Sequence, residues 1–160
     1  MSFHMHLRAM AEHEIRDDHA WLTDFMHAAW EKLETEYESG IAASIEKDFG
    51  PLNDLYLAGA TTTHELPVYG GRIIQDPAHH RPPFAILTSL EATTAAELLR
   101  DTHFETLWSV AGPALAAPYA LWDDPETAAK ATYLAHHTAL CGFYTRAAQA
   151  NHAVVKAFWY

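Results

Sequence analysis

Apolar and polar residues trade places one for one at the start of the chain. Phe3, Met5, Leu7 and Ala9 alternate with His4, His6 and Arg8, the period of a strand with one dry face, predicted over residues 2–9. The same period returns at the far end in "HAVVKAFWY", with Ala153, Val155, Ala157 and Trp159 on one side and His152, Val154, Lys156 and Phe158 on the other. A terminal strand ending in three aromatics would template aggregation if left loose, so the pattern predicts that both end segments lie in one sheet. If they pack one common face, His4, His6, Arg8, His152 and Lys156 gather on the opposite side as a small basic patch.

Between these ends the period lengthens. Trp21, Leu22, Phe25, Met26, Ala29, Leu33 and Tyr37 recur at threes and fours after Asp17-Asp18, predicting one amphipathic helix that ends near Gly40. A second helix is expected over 41–49, and Gly50-Pro51 restarts the chain before "LNDLYLAG". Residues 60–83 are rich in Thr, Gly and Pro and read as loop, with two short strands, "LPVY" and "RII", inside it. "FAIL" at 84–87 is a buried strand by its length and flanking turn signals. Thr88 with Glu91 forms a capping box that opens the next helix, a shorter helix follows over 103–110, and a proline-bearing stretch runs to Tyr119. Asp124 as N-cap and Pro125 at the first helical position open a long helix to about Asn151, with Leu134, His137, Leu140, Cys141, Tyr144 and Ala148 as its stripe.

Composition narrows the class. The 160 residues are 49% hydrophobic and 19% charged, enough apolar material for one self-sufficient domain over 1–160 and none of the signature of disorder. A net charge of −11 with no Lys/Arg cluster argues against nucleic acid and against anionic membrane surfaces. The longest weakly polar run, "VAGPALAAPYALW", is too short to span a bilayer and holds two prolines. No charged-then-apolar leader is visible at the start, so the expected location is cytoplasmic. Cys141 is the only cysteine, which removes internal disulfides and multi-thiolate metal sites. Protonation of the twelve histidines would lift the charge from −11 to about +1, so solubility should fall on mild acidification.

Candidate chemistry is sparse. Two strand histidines two apart point the same way and can chelate a metal, but a site needs further ligands, and His152 is the one other strand histidine the pattern brings near His4 and His6. Polar residues on a sheet face paired with helix carboxylates account for the same pattern without a ligand. Asp24, His27, Glu31, Glu34 and Glu38 share one helix side; a solvated acidic face explains them better than a metal, and it suits a basic protein partner. His137 lies one turn from Cys141 and could activate the thiol, yet both sit in an apolar stripe, where a free cysteine behaves as a small hydrophobe. "HEIRDDH" spaces His13 and His19 six apart where the zinc-peptidase signature needs four. "HHRPP" at 79–83 reads as a loop with an anion-binding alternative, and Asp123-Asp124 as a helix cap. Neither a G-x-S-x-G elbow nor a phosphate-binding glycine loop is present.

The segments "IEKDFGPLNDLYLAG", "PVYGG", "FAILTSLE", "PYALWDD" and "YLAHHTALCGFYTRAAQANHAVV" together resemble a bacterial family of YfbM-like proteins, a domain of unknown function; Phe49 stands where that family usually has tryptophan. The resemblance covers most of the chain. It implies an α+β domain with a small mixed sheet that includes both terminal strands, packed by several helices, one of them long and C-terminal. It brings no activity, cofactor or catalytic residue with it. The expectation is therefore a non-catalytic factor that binds a protein, of inhibitor or immunity type, with no cofactor. The competing expectation is a small-ligand or metal-binding protein, or an enzyme, using the His/Arg side of the sheet with the loops of 60–83.

Overall fold

A computed structural model describes residues 4–59 and 62–159, and the side chains of all of these but 62 and 63. The expected strand positions of Ser2 and Phe3, and the terminal Tyr160, lie outside the described residues.

The two ends meet. Strand β1 (His4–Ala11) runs antiparallel to β5 (His152–Trp159) in an unbroken register from His4 opposite Trp159 to Ala11 opposite His152. Around this pair the sheet adds β2 (Ala42–Ile45), β3 (Arg72–Ile74) and β4 (Phe84–Leu87) in the order β2-β1-β5-β4-β3. Every pairing among the described residues is antiparallel, so the sheet is not mixed there; long helical returns reverse the chain between β4 and β5, and no described strand is entered by a parallel crossover.

Both faces of the sheet are covered, and this overturns the expected basic patch. Leu7 stands opposite Lys156 and His6 opposite Ala157, and residues directly opposite share a face. Met5, Leu7, Ala9, Val154 and Lys156 therefore point one way, and His4, His6, Arg8, Val155 and Ala157 the other. The reason lies in "AVVKA" of β5, which is buried on both sides and so gives the alternation no dry face to fix the register.

On the Leu7 side lie helices α3 (Phe49–Leu57), α4 (Ser89–Asp101), α5 (Phe104–Ala111) and α6 (Pro125–Gln149), with a tight 3₁₀ run over Gly112–Tyr119. Tyr56, Leu52, Leu55, Leu99, Trp108, Tyr133, Leu140, Phe143 and Tyr144 fill the main core between them and the sheet. The α6 stripe is turned slightly from the expected one: Tyr133 and Ala147 are buried, while Leu134 is exposed and Ala148 only half-buried. Both expected caps form. Thr88 and Glu91 make the reciprocal capping box, and the Asp124 carboxylate accepts from the Thr127 N–H at 3.2 Å.

On the His6 side lie α1 (His19–Glu31), capped by Asp18, and α2 (Leu33–Ser39). The expected single helix breaks at Lys32, whose ψ of 19° is off the helical value. The break turns Glu36 and Tyr37 onto the sheet, where a continuous helix would have aimed Leu33 and Tyr37. Leu22 and Met26 of α1 pack on Phe84, Ile86, Val155 and Ala157 as a second, smaller core. Gly40 closes α2 with φ of 73°, a left-handed cap that glycine adopts without steric cost. The next residues form edge strand β2, not the expected helix over 41–49: pairing with β1 outweighs the helix propensity of two alanines. "LPVY" is turn and not strand.

Candidate functional site

The polar groups beneath α1 and α2 bond largely to one another, although the buried Nε2 atoms of His4 and His6 have no hydrogen-bond partner among the described residues. Arg8 donates through Nε and Nη2 to both oxygens of Glu36, at 2.9 and 2.6 Å, and through Nη1 to the Phe25 carbonyl at 2.7 Å. Its guanidinium carbon also lies 4.2 Å from the centre of the Phe25 ring. His6 is fully buried, its Nδ1 3.0 Å from the Tyr37 hydroxyl. Burial first, then the positive fields of His4 and Arg8, holds its pKa down at about 4, so the ring is neutral at physiological pH. Helices α1 and α2 thus cover His6 and Arg8, whereas His4, at the end of β1, borders a recess on the same face.

His152 sits opposite Ala11, at the other end of β1 from His4 and on the other face, so the three candidate metal ligands do not converge. Among the described residues no group of three His, Cys, Asp or Glu side chains is placed to hold a metal ion. Lys156, expected beside them, is buried in the main core, where Nζ donates to the carbonyls of Leu66, Val68 and Gly70 at 2.5, 3.0 and 2.8 Å. It ties the "PVYGG" segment to β5.

The remaining sequence candidates resolve locally. His137 is buried, with Nδ1 3.1 Å from the Tyr56 hydroxyl and Nε2 3.5 Å from Cys141 Sγ. Burial lowers the His137 pKa and raises that of the thiol, the reverse of what a thiolate nucleophile needs. In the "HHRPP" loop the backbone N–H groups of His80 and Arg81 donate to Asp76, so the chain's own carboxylate fills the anion position. His19 begins α1 and lies 3.0 Å from the Pro82 carbonyl, whereas His13 is exposed in a separate turn.

What remains open is the outer side of α1 and α2 and the neighbouring end of the sheet. Asp24, His27 and Glu31 are exposed on α1, and Glu34 and Glu38 on α2, on either side of the break at Lys32. Beside the acidic residues, His4 and His27, already candidates by their spacing, meet two tryptophans that the pattern did not single out. Trp30 is 49% exposed and stacks on His4 with centroids 4.9 Å apart, while His27 stacks on Trp159 at 5.1 Å. The four rings line a depression of about 240 Å³. Two further recesses adjoin Trp159. One of about 300 Å³ is bordered by His19, Arg81, Pro83 and Phe84, and one of about 450 Å³ by Phe49, Tyr69, Ile73 and Phe158. The signal available in the sequence was Trp30 itself, a large aromatic at the margin of the apolar stripe of its helix, one turn after Met26. A separate cleft of about 440 Å³ between α4 and α5 is lined by residues including Glu97, Asp101 and His103.

Among the described residues no helix is long and apolar enough to cross a membrane. A family model described as a domain of unknown function, DUF1877, matches residues 1–156. No curated protein and no solved structure matches the chain.

Proposed function

Since the chain belongs to the DUF1877 family, a domain of unknown function, we propose its role from its own surface: it binds a basic protein partner through the outer side of α1 and α2, without catalysis. The observation that carries this reading is the juxtaposition of exposed acidic residues with half-exposed tryptophans. Asp24, Glu31, Glu34 and Glu38 are exposed on the two helices, Trp30 is exposed on α1 among them and Trp159 stands partly exposed against His27 of α1, the usual division of labour in an interface. Aromatic anchors supply affinity at the centre, and the charged rim speeds encounter and selects the sign of the partner. The chain's net charge of −11 favours the same class of partner at longer range.

Such a surface suits an inhibitor or immunity-type factor, which acts by covering a basic surface on another protein. The quoted motifs support a YfbM-like unit occupying the whole chain, residues 1–160, and the single cysteine fits a reducing, cytoplasmic setting. Affinity capture from the native host, comparing wild type with an Asp24→Asn/Glu31→Gln/Glu34→Gln variant, tests the proposal. A prey held by wild type at low salt, released at high salt and lost in the variant is the expected result. A prey set identical for both proteins would overturn it.

A further inference from the structure

We propose that the depression between the His4–Trp30 and His27–Trp159 ring pairs receives the arginine or lysine head group of a basic segment of the partner. The inference rests on the partner-binding reading and names what the aromatic centre of that surface recognises.

The walls come from three elements. His4 is the first described residue of β1, Trp159 the last of β5, and α1 supplies His27 and Trp30 one turn apart. The antiparallel register sets His4 directly opposite Trp159 on the face that α1 covers. Each of these rings is then stacked on one from the helix, His4 on Trp30 at 29° between planes and Trp159 on His27 at 15°. The result is two double-layered aromatic walls around about 240 Å³, open to solvent.

The faces of the two indoles carry negative charge density above the ring, and a cation held against them is attracted by more than contact area alone. The surroundings add to that attraction. Asp24 and Glu31 lie three residues before and four after His27 on the exposed side of α1, adjacent turns of one helix face. The cation beneath this part of the sheet, Arg8, is already neutralised by Glu36. Arg81 borders the neighbouring recess and not this one. An anionic ligand would meet the acidic side chains unfavourably, and a purely apolar one would leave those charges unanswered. A long stem ending in a positive head satisfies all three: the methylenes lie against the rings, the charge meets their faces, and the acids stand outside.

The test uses the full chain labelled with ¹⁵N, following the indole N–H signals of Trp30 and Trp159 at about 150 mM salt. The probes are an N-acetylated, C-amidated tri-arginine peptide and its tri-citrulline counterpart, which keeps shape and hydrogen bonding but carries no side-chain charge. Saturable movement of both indole signals is expected with tri-arginine, and binding at least about tenfold weaker with tri-citrulline. Trp30→Leu should weaken tri-arginine by about tenfold or more, Trp30→Phe should restore most of the affinity, and Glu97→Gln, in the remote cleft, should leave it unchanged. Melting curves of the variants confirm that each is folded. Equal response to the two peptides, no response at all, or an unaltered affinity in Trp30→Leu would each overturn the cage. If the cage fails while charge-dependent capture of a partner persists, only the cation assignment falls; if capture fails as well, the reading beneath it falls too.

Discussion

His6 shows how a single residue's setting decides between chemistry and structure. Its side chain reads as a candidate ligand in the sequence and is instead a neutral ring beneath α2, held at a pKa of about 4 chiefly by burial. In the unfolded chain the imidazole titrates near ~6.5. The unfolded state therefore takes up the proton first as pH falls; the stability is complete above about 6.5 and is lost on the way down to about 4, a difference of about 3 kcal/mol. Melting curves of wild type and His6→Gln between about pH 7.5 and 4 check this: the wild-type curve should fall more steeply by that amount, and parallel curves would contradict it. Lys156 makes the same point in the main core. Burial pushes its pKa well below the usual lysine range, while three carbonyls from Leu66, Val68 and Gly70 accept its protons and support the charged form. Lys156→Met keeps the length and removes every donor, so it should cost roughly 3 to 5 kcal/mol in denaturant unfolding and loosen exchange protection in 66–71. Neither residue's role was legible beforehand, because alternation tells which residues share a side of a strand and not whether that side is dry.

At the scale of elements, the parts of the chain with local chemical signals were readable. Thr88 with Glu91 and Asp124 with Pro125 start their helices where those signals place them, since a cap is settled by residues three positions apart. Thr88→Ala should lower stability by about 1 kcal/mol in thermal or denaturant unfolding, through loss of the hydroxyl's two bonds to Glu91. Elements defined by distant partners were not readable. β2 exists because β1 offers it an edge, and the α1–α2 break exists because Glu36 answers Arg8 some 28 residues away in sequence. The candidate site follows the same division. The acidic positions were visible in the helical period, whereas the ring pairs required the pairing of the two chain ends, which brings Trp159 beside His4.

Across the whole molecule, the covered sheet faces and the buried Arg8–Glu36 pair leave the outer side of α1 and α2 as a side that carries both acid and an exposed aromatic, in a chain of net charge −11. That charge keeps the protein dispersed near neutrality and falls on acidification. Light scattering during a slow acid titration should therefore show association before unfolding, suppressed by a basic partner only if the outer side of α1 and α2 is the one covered. The most direct measurement of that claim is hydrogen exchange on the protein alone and with its captured partner. Added protection concentrated in residues 24–38 is the predicted result. Protection confined to the α4–α5 cleft around Glu97 and His103, with 24–38 unchanged, would contradict it.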